Sequence, residues 1–312
     1  MDQKIRIMVV DDSILFRNWL VQSLGSDPRF EIVGYAVNAY DAKNKVPLLK
    51  PDLLTLDIEM PGMSGLEFLK EFLPTHPIPV ILVSSLNMRV FDALAAGAVD
   101  FVRKPDLENK VGKTTFLNML KAKVVIGAKA RVQIPVTHNT SAPRAGSLRP
   151  ASAACTAPSE IPSRSRLNIS TADPGRIIAI GASTGGTEAI LQVLRDLPPT
   201  LPGIVITQHM PAGFTSMYAE RLNRLCRMEV REAKHGDKVQ PGLALLAPGG
   251  LQMRVVRIGN GYGVSCSQDE KVNGHCPLWM CSLILCRFTP VRKPLALFSQ
   301  AWAPTAQPDC CV

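Results

Sequence analysis

No apolar run in this 312-residue chain approaches the length that spans a bilayer, and only a short apolar stretch separates Met1-Asp2-Gln3-Lys4 from acidic Asp11-Asp12. Neither membrane insertion nor a leader is expected, and the chain reads as cytosolic, in the cytoplasm. Aromatic residues make up 5% of it, and its basic segments lack the interleaved aromatics that a stacking platform for nucleic acid requires. The net charge of +9 comes almost wholly from residues 106–175, at +6, and residues 276–312, at +2. Charge confined to a connector and a tail is that of a solvated segment, so no nucleic-acid partner is expected. Five of the eight cysteines fall in residues 276–312 without paired C-x2-C spacing, which argues against a zinc site, and a disulfide framework does not suit a cytosolic chain. What remains is an ordinary soluble composition, 46% hydrophobic and 20% charged, at a length that allows two domains.

Residues 5–105 alternate short apolar strands with amphipathic stretches. The strands are Ile5 to Val10, Glu31 to Ala36, Leu53 to Asp57, Val80 to Ser84 and Val99 to Val102, and a helical stretch, Thr114 to Val125, follows. This rhythm predicts a doubly wound α/β domain over residues 1–125. Residues 126–174 form a basic linker, rich in Pro, Ser and Ala, in which apolar periodicity fails. A second parallel-sheet α/β unit begins near residue 175, with strands at Ile177–Ile180 and Ile204–Gln208 and helices at Ile190–Leu197 and Phe214–Leu225. The fold class is therefore α/β, with two doubly wound parallel-sheet domains, the second Rossmann-like.

Asp11 and Asp12 close the first strand and Asp57 the third, which places three carboxylates at the carboxyl edge of a parallel sheet. Converging carboxylates call for a hard cation such as Mg2+, which can cancel repulsion while Asp57 attacks phosphorus. Ser84 ends the next strand, where it can hydrogen-bond a transferred phosphoryl group, and Lys104 can neutralise that group's charge. The alternative is that the acidic strand ends are solvated caps and Lys104 a surface lysine. The segments Val-Val-Asp11-Asp12-Ser, Leu-Asp57-Ile-Glu-Met-Pro-Gly-Met-Ser-Gly, Ser84 and Phe101-Val-Arg-Lys104-Pro resemble the response-regulator receiver family over about residues 3–122. That resemblance implies Asp57 as phosphoacceptor, Asp11, Asp12 and Asp57 as the Mg2+ site, and Phe101 as the aromatic whose rotamer reports phosphorylation.

In the second unit an apolar run breaks at Gly181-Ala182-Ser183-Thr184-Gly185-Gly186 before a helical pattern. A serine there projects from the sheet edge, and the N–H groups of the next helix can face a developing oxyanion. Ile204-Val-Ile-Thr-Gln-His209-Met-Pro211 repeats the design, so on neighbouring strands Ser183 and His209 would meet as nucleophile and general base. Two alternatives stay open on spacing alone. His209 can be a strand cap beside tightly packed glycines, or the turn can cradle a dinucleotide pyrophosphate, although the glycines are not in G-x-G-x-x-G order and no acidic residue ends the following strand.

With a receiver ahead of it, the segment set Gly-Ala-Ser183-Thr184-Gly-Gly, Gln-His209-Met-Pro, Gly236-Asp237, Ala247-Pro248-Gly249-Gly250 and Val272-Asn273-Gly274-His275-Cys276-Pro277 resembles the chemotaxis protein-glutamate methylesterase family, whose members also deamidate receptor glutamines. The resemblance covers about residues 3–125 and 175–277. It implies that Ser183 attacks a receptor methyl ester or amide, that His209 is the base and that Thr184 borders the site. It further implies no cofactor for the hydrolase, methyl-accepting chemotaxis receptors as substrates, a histidine kinase as phosphodonor, and release of a receiver-covered cleft by Asp57 phosphorylation. Gln252 stands where the family tends to have histidine.

The family's Gly-Met-Gly-Ala-Asp-Gly segment, which carries the orienting carboxylate, has no counterpart here. Trp279-Met280-Cys281 is encoded TGG-ATG-TGY, and one base earlier the same bases force Asp-Val. The same shift over Phe298 to Gln307 permits Leu-Thr-Gly-Met-Gly-Ala-Asp-Gly-Ala, the hidden Asp straddling Pro304 and Thr305. Residues 278–312 therefore read as an out-of-frame tail, and the catalytic domain, 175–277, as incomplete. Little methanol release is expected of such a chain. Its rival role is a phosphoacceptor receiver module attached to a dead effector.

Overall fold

The computed structural model describes residues 3–85, 88–106, 109–130, 132, 176–268 and 295–298. The linker over 133–174, the Val272–Pro277 segment and most of the expected out-of-frame tail lie outside the described residues.

The first unit runs β1 (Ile5–Val10), α1 (Ile14–Gly25), β2 (Phe30–Ala36), α2 (Ala39–Leu49), β3 (Leu53–Leu56), α3 (Gly65–Phe72), β4 (Val80–Ser84), α4 (Arg89–Ala95), β5 (Asp100–Arg103) and α5 (Lys110–Gly127). Its strands form a parallel sheet in the order β2-β1-β3-β4-β5. Strand order reverses between β1 and β3, and at such a switch point the helices diverge to open a crevice at the strand ends. Local chemistry fixes the helix starts: Ser13 caps α1, Asn38 caps α2, and Ser64 with Glu67 forms a reciprocal capping box on α3. The closing helix begins earlier than its apolar pattern and runs through Gly127, two residues into the expected linker, because Asn109 caps it by accepting from Gly112 N–H.

The second unit runs β6 (Ile177–Ala182), α6 (Gly186–Asp196), β7 (Gly203–Gln208), α7 (Phe214–Leu225), β8 (Glu229–Glu232), β9 (Lys238–Val239), β10 (Leu243–Leu246), β11 (Gln252–Ile258), β12 (Gly261–Ser267) and β13 (Leu295–Phe298). A parallel sheet has the order β13-β6-β7-β10-β8, and β11, β12 and β9 form a small antiparallel sheet on one of its faces. β13 belongs to the residues read as an out-of-frame tail, yet Leu295 to Phe298 pair in register with Ile178 to Gly181. A short apolar run, Leu-Ala-Leu-Phe, suffices for an edge strand, since backbone pairs with backbone whatever the reading frame.

Burial follows the layers. One apolar cluster fills the α1–α5 side of the first sheet, and another lies between the second sheet and its antiparallel cover. The largest is continuous between the units, running from the α2–α4 side of the first sheet to the α6–α7 side of the second. At its centre Phe91 of α4 stacks on Tyr218 of α7 at 5.5 Å between ring centroids, and Phe101 of β5 lies 4.6 Å from Phe214 of α7. Among the described residues no helix is long and apolar enough to cross a membrane.

Candidate functional site

At the switch point of the first sheet, Asp11 follows β1 and Asp57 follows β3, and both are almost wholly buried. Asp12 is exposed beside them, and ligand oxygens of the three carboxylates lie within 4.8 Å of one another. The Lys104 ammonium bridges the pair, at 2.6 Å from Asp57 Oδ2 and 2.9 Å from Asp11 Oδ2, and sits 4.8 Å over the Phe16 ring. Burial pushes the Asp57 and Asp11 pKa values up, and the Lys104 contacts only partly offset that. Burial also opposes the charge on Lys104, but its hydrogen bond to Asp57 and the fields of both carboxylates outweigh this, so its pKa stands above the usual value. The cluster is short of positive charge. Three hard oxygen donors at this spacing fit a divalent cation. Ser84, 1% exposed, brings a buried hydroxyl to the end of the neighbouring strand β4.

Arg17, buried on α1, donates from Nη1 to the Asp11 carbonyl at 2.7 Å and the Asp12 carbonyl at 3.3 Å, which pins the acidic loop. The next strand over, β5, carries Asp100, whose carboxylate accepts from buried Lys123 at 2.6 Å. That lysine lies 5.5 Å from the centre of the Phe101 ring, which is 2% exposed. Phe101 therefore joins β5 to the second unit through its ring contact with Phe214.

In the second sheet β6 and β7 are adjacent, with Ala182 opposite Gln208. The two residues that follow, Ser183 and His209, meet: Ser183 Oγ lies 3.4 Å from His209 Nδ1. With the other ring nitrogen protonated, Nδ1 can accept the hydroxyl proton. The helices behind them, α6 and α7, both start at glycine in left-handed conformation, Gly185 at φ 75° and Gly213 at φ 87°, and neither has a side-chain cap. Uncapped amides at a helix N-terminus favour negative charge, as an oxyanion would bring. Thr184 is buried between Ser183 and α6. The Ala247–Gly250 loop is tied to α7 by Gly249 N–H donating to Thr215 Oγ1 at 3.0 Å, while Thr215 donates to Glu232 at 2.5 Å. Gln252, at the head of β11, is fully buried.

Sequence reading placed every one of these strand-end residues but missed Gln208, Thr215, Phe214 and Tyr218, because their significance depends on which elements become neighbours. Tyr218 donates its hydroxyl to the Thr187 carbonyl at 2.6 Å, which locks α7 to the first turn of α6. The only cue to Gln208 was its position, a polar residue at the end of an otherwise apolar strand. Cys226 and Cys266 have thiols that burial holds above the normal range, Cys266 at about 11, so neither is a ready thiolate.

The CheB methylesterase family model matches residues 178–279, and the response regulator receiver domain model matches residues 7–114. A protein-glutamate methylesterase/protein-glutamine glutaminase of Syntrophotalea carbinolica is 46% identical over 282 residues, covering 89% of this chain and 75% of the relative. One from Syntrophomonas wolfei, bearing the same name with the suffix 2, is 45% identical over 275 residues, or 88% of this chain and 74% of its own. The solved catalytic domain of Thermotoga maritima CheB methylesterase is 31% identical over a match covering 39% of this chain and 65% of that one, at a TM-score of 0.38.

Proposed function

Since the chain belongs to the family of receiver-regulated chemotaxis protein-glutamate methylesterases and glutaminases, we propose that Ser183 and His209 carry its hydrolysis and that Asp57 controls it. The observation that carries this reading is the meeting of Ser183 Oγ and His209 Nδ1 at adjacent strand ends, 3.4 Å apart. The substrates are glutamyl methyl esters and glutamine side chains of methyl-accepting chemotaxis receptors, met in the cytoplasm.

Ser183 Oγ attacks the ester carbonyl carbon as its proton passes to His209 Nδ1. The tetrahedral oxyanion is stabilised by N–H groups at the head of α6, with Thr184 at its border. Collapse breaks the bond to the alkoxy oxygen, which leaves as methanol with the proton from His209. Water then gives up a proton to His209 and attacks the acyl carbon, and Ser183 departs reprotonated, leaving a glutamate. A glutamine side chain follows the same course and releases ammonia.

Asp57 accepts a phosphoryl group from a histidine kinase, with Lys104 and the Ser84 hydroxyl meeting its oxygens. A divalent cation, Mg2+ by the chemistry of its donors, would be held by Asp11, Asp12 and Asp57 and would supply the positive charge that the cluster lacks. The aromatic contact of Phe101 with Phe214, five residues beyond His209, is the route by which the receiver's state reaches the cleft.

The test is methanol release from receptor membranes carrying radiolabelled methyl groups, with and without a small phosphodonor. Because the orienting carboxylate segment is not encoded in this frame, the chain is expected to release methanol at about 10⁻⁴ of the rate of a frame-restored version. In the restored version Ser183→Ala abolishes release, and Asp57→Asn makes it indifferent to phosphodonor. Release that survives Ser183→Ala overturns the reading and leaves the receiver as a phosphoacceptor module.

A further inference from the structure

Resting on the nucleophile reading of Ser183, we propose that Gln208 is a positioning residue that sets the direction of the oxyanion-binding N–H of Thr184. Gln208 ends β7, and only 2% of it is exposed, so its amide has left water and its hydrogen bonds must come from protein. Nε2 donates to the Ser183 carbonyl at 2.9 Å. Gly186 N–H donates to the same oxygen at 2.8 Å. A carbonyl oxygen has two lone pairs, and both are engaged.

The consequence falls on the next amide. In a planar trans peptide the N–H of Thr184 points opposite to the C=O of Ser183. Holding that carbonyl toward Gln208 therefore turns the Thr184 N–H away from Gln208, at the head of uncapped α6. A rotation of this peptide would break both hydrogen bonds and put a carbonyl where an oxyanion donor is needed.

The amide is itself fixed in orientation. Its Oε1 occupies the space beside Gly186, where a Cβ would lie 2.3 Å from Oε1 and 2.5 Å from the Cβ of Ala182. Oε1 has no hydrogen-bond partner among the described residues. A buried amide satisfied on its nitrogen alone is a poor structural choice, since methionine would fill similar space with no orphaned acceptor. The value of glutamine here lies in its NH2 group. Neighbouring His209 shares the strand end, so one short segment supplies both the base and the clamp on the nucleophile's peptide.

The test is the rate at which an alkyl fluorophosphonate modifies Ser183 in the full-length chain. Serine attacks phosphorus, fluoride leaves, and the phosphoryl oxygen draws on the same N–H donors. Intact-mass spectrometry follows the reaction between pH 5 and pH 9. Gln208→Met should slow labelling by about 100-fold, the size of losing one oxyanion donor, while the midpoint of the pH profile stays that of wild type. Gln208→Glu keeps the length and guards against a folding failure of the first variant. Its carboxyl can donate to the Ser183 carbonyl only when protonated, so the ratio of its rate to that of Gln208→Met should rise as pH falls. Labelling of Gln208→Met within about threefold of wild type, where a lost donor costs 10² or more, overturns the proposal. A shifted pH midpoint does so as well, since that would place the effect on His209. Failure of both wild type and a frame-restored version to take label at Ser183 would instead refute Ser183 as nucleophile.

Discussion

Replacing Phe214, a residue of the hydrolase, should weaken the receiver. Phe214 is fully buried, its ring centroid lies 4.6 Å from that of Phe101, and Phe91 approaches it edge-on at 6.5 Å. Phe91 and Phe101 both belong to the receiver, so Phe214→Ala removes two aromatic pairs that cross between the units. Each is worth about 0.5–1.5 kcal/mol beyond the area buried. The truncation costs the hydrolase about 3–5 kcal/mol as a core cavity, but the receiver should lose about 1–3 kcal/mol through the lost pairs alone. Trp19, packed between Phe16 and Phe116, reports receiver unfolding by fluorescence once Trp279 and Trp302 are replaced by Phe. With a urea dependence of about 1–3 kcal/mol per molar, the receiver midpoint should fall by about 1 M, within a range of about 0.3–3 M. In a cycle with Phe101→Leu the two losses should fail to add by about 1 kcal/mol. A receiver midpoint that Phe214→Ala leaves unmoved would refute the reasoning, because the units would then unfold without sensing each other.

Four further outcomes are expected. Burial raises the Asp57 pKa above its unfolded value, so its ionisation lowers receiver stability as pH rises through the folded value; Asp57→Asn in metal-free buffer at pH 7 should raise the melting point by about 4–8 °C per kcal/mol relieved, and calorimetry showing a lower melting point contradicts this. Adding a divalent cation should stabilise wild type more than that variant. Tyr218→Phe deletes the hydroxyl bonded to Thr187 and should cost about 1–2 kcal/mol in urea unfolding of the hydrolase; a loss below about 0.3 kcal/mol would mean that the carbonyl finds another donor. Cys266, at about 11, carries about a hundredth of the thiolate of a cysteine at its ordinary value of 9.0, so iodoacetamide at pH 8 should modify it about a hundred-fold slower than a free thiol, and peptide mapping that finds rapid modification rules this out.

Much of the architecture was legible because strand ends announce themselves. Ile5–Val10, Val80–Ser84 and Phe214–Leu225 have the bounds that their apolar patterns give, and Asp11, Asp57, Ser84, Ser183 and His209 all stand at or just past a strand terminus. Helix starts were less legible at α5, which opens at Lys110, four residues before the Thr114 that its apolar pattern gives. α2 holds Pro47 within its last turn, a residue that sequence rules treat as a breaker. β11 and β12 pair as a hairpin across Gly259-Asn260, and their alternation gives no hint of the sheet that they cover. The aromatic contacts between units were beyond reach, because Phe91, Phe214 and Tyr218 look like ordinary core residues, and nothing in the sequence pairs them with Phe101, until the topology brings α4 and α7 together. Gln208 was hidden for a related reason: its partner is a main-chain carbonyl, which no side-chain pattern records.

β13 changes what kind of strand carries the nucleophile. With Leu295 to Phe298 alongside, β6 has partners on both flanks, so the row of peptide groups leading to Ser183 is closed to outside chains. A chain cut anywhere ahead of Leu295 would leave Ile178 to Gly181 as a bare, apolar margin, ready to recruit the same strand of a second copy. Residues 295–298 thus cover a backbone edge that would otherwise stand open, a task that asks only for an extended segment and is indifferent to which codons happened to spell it.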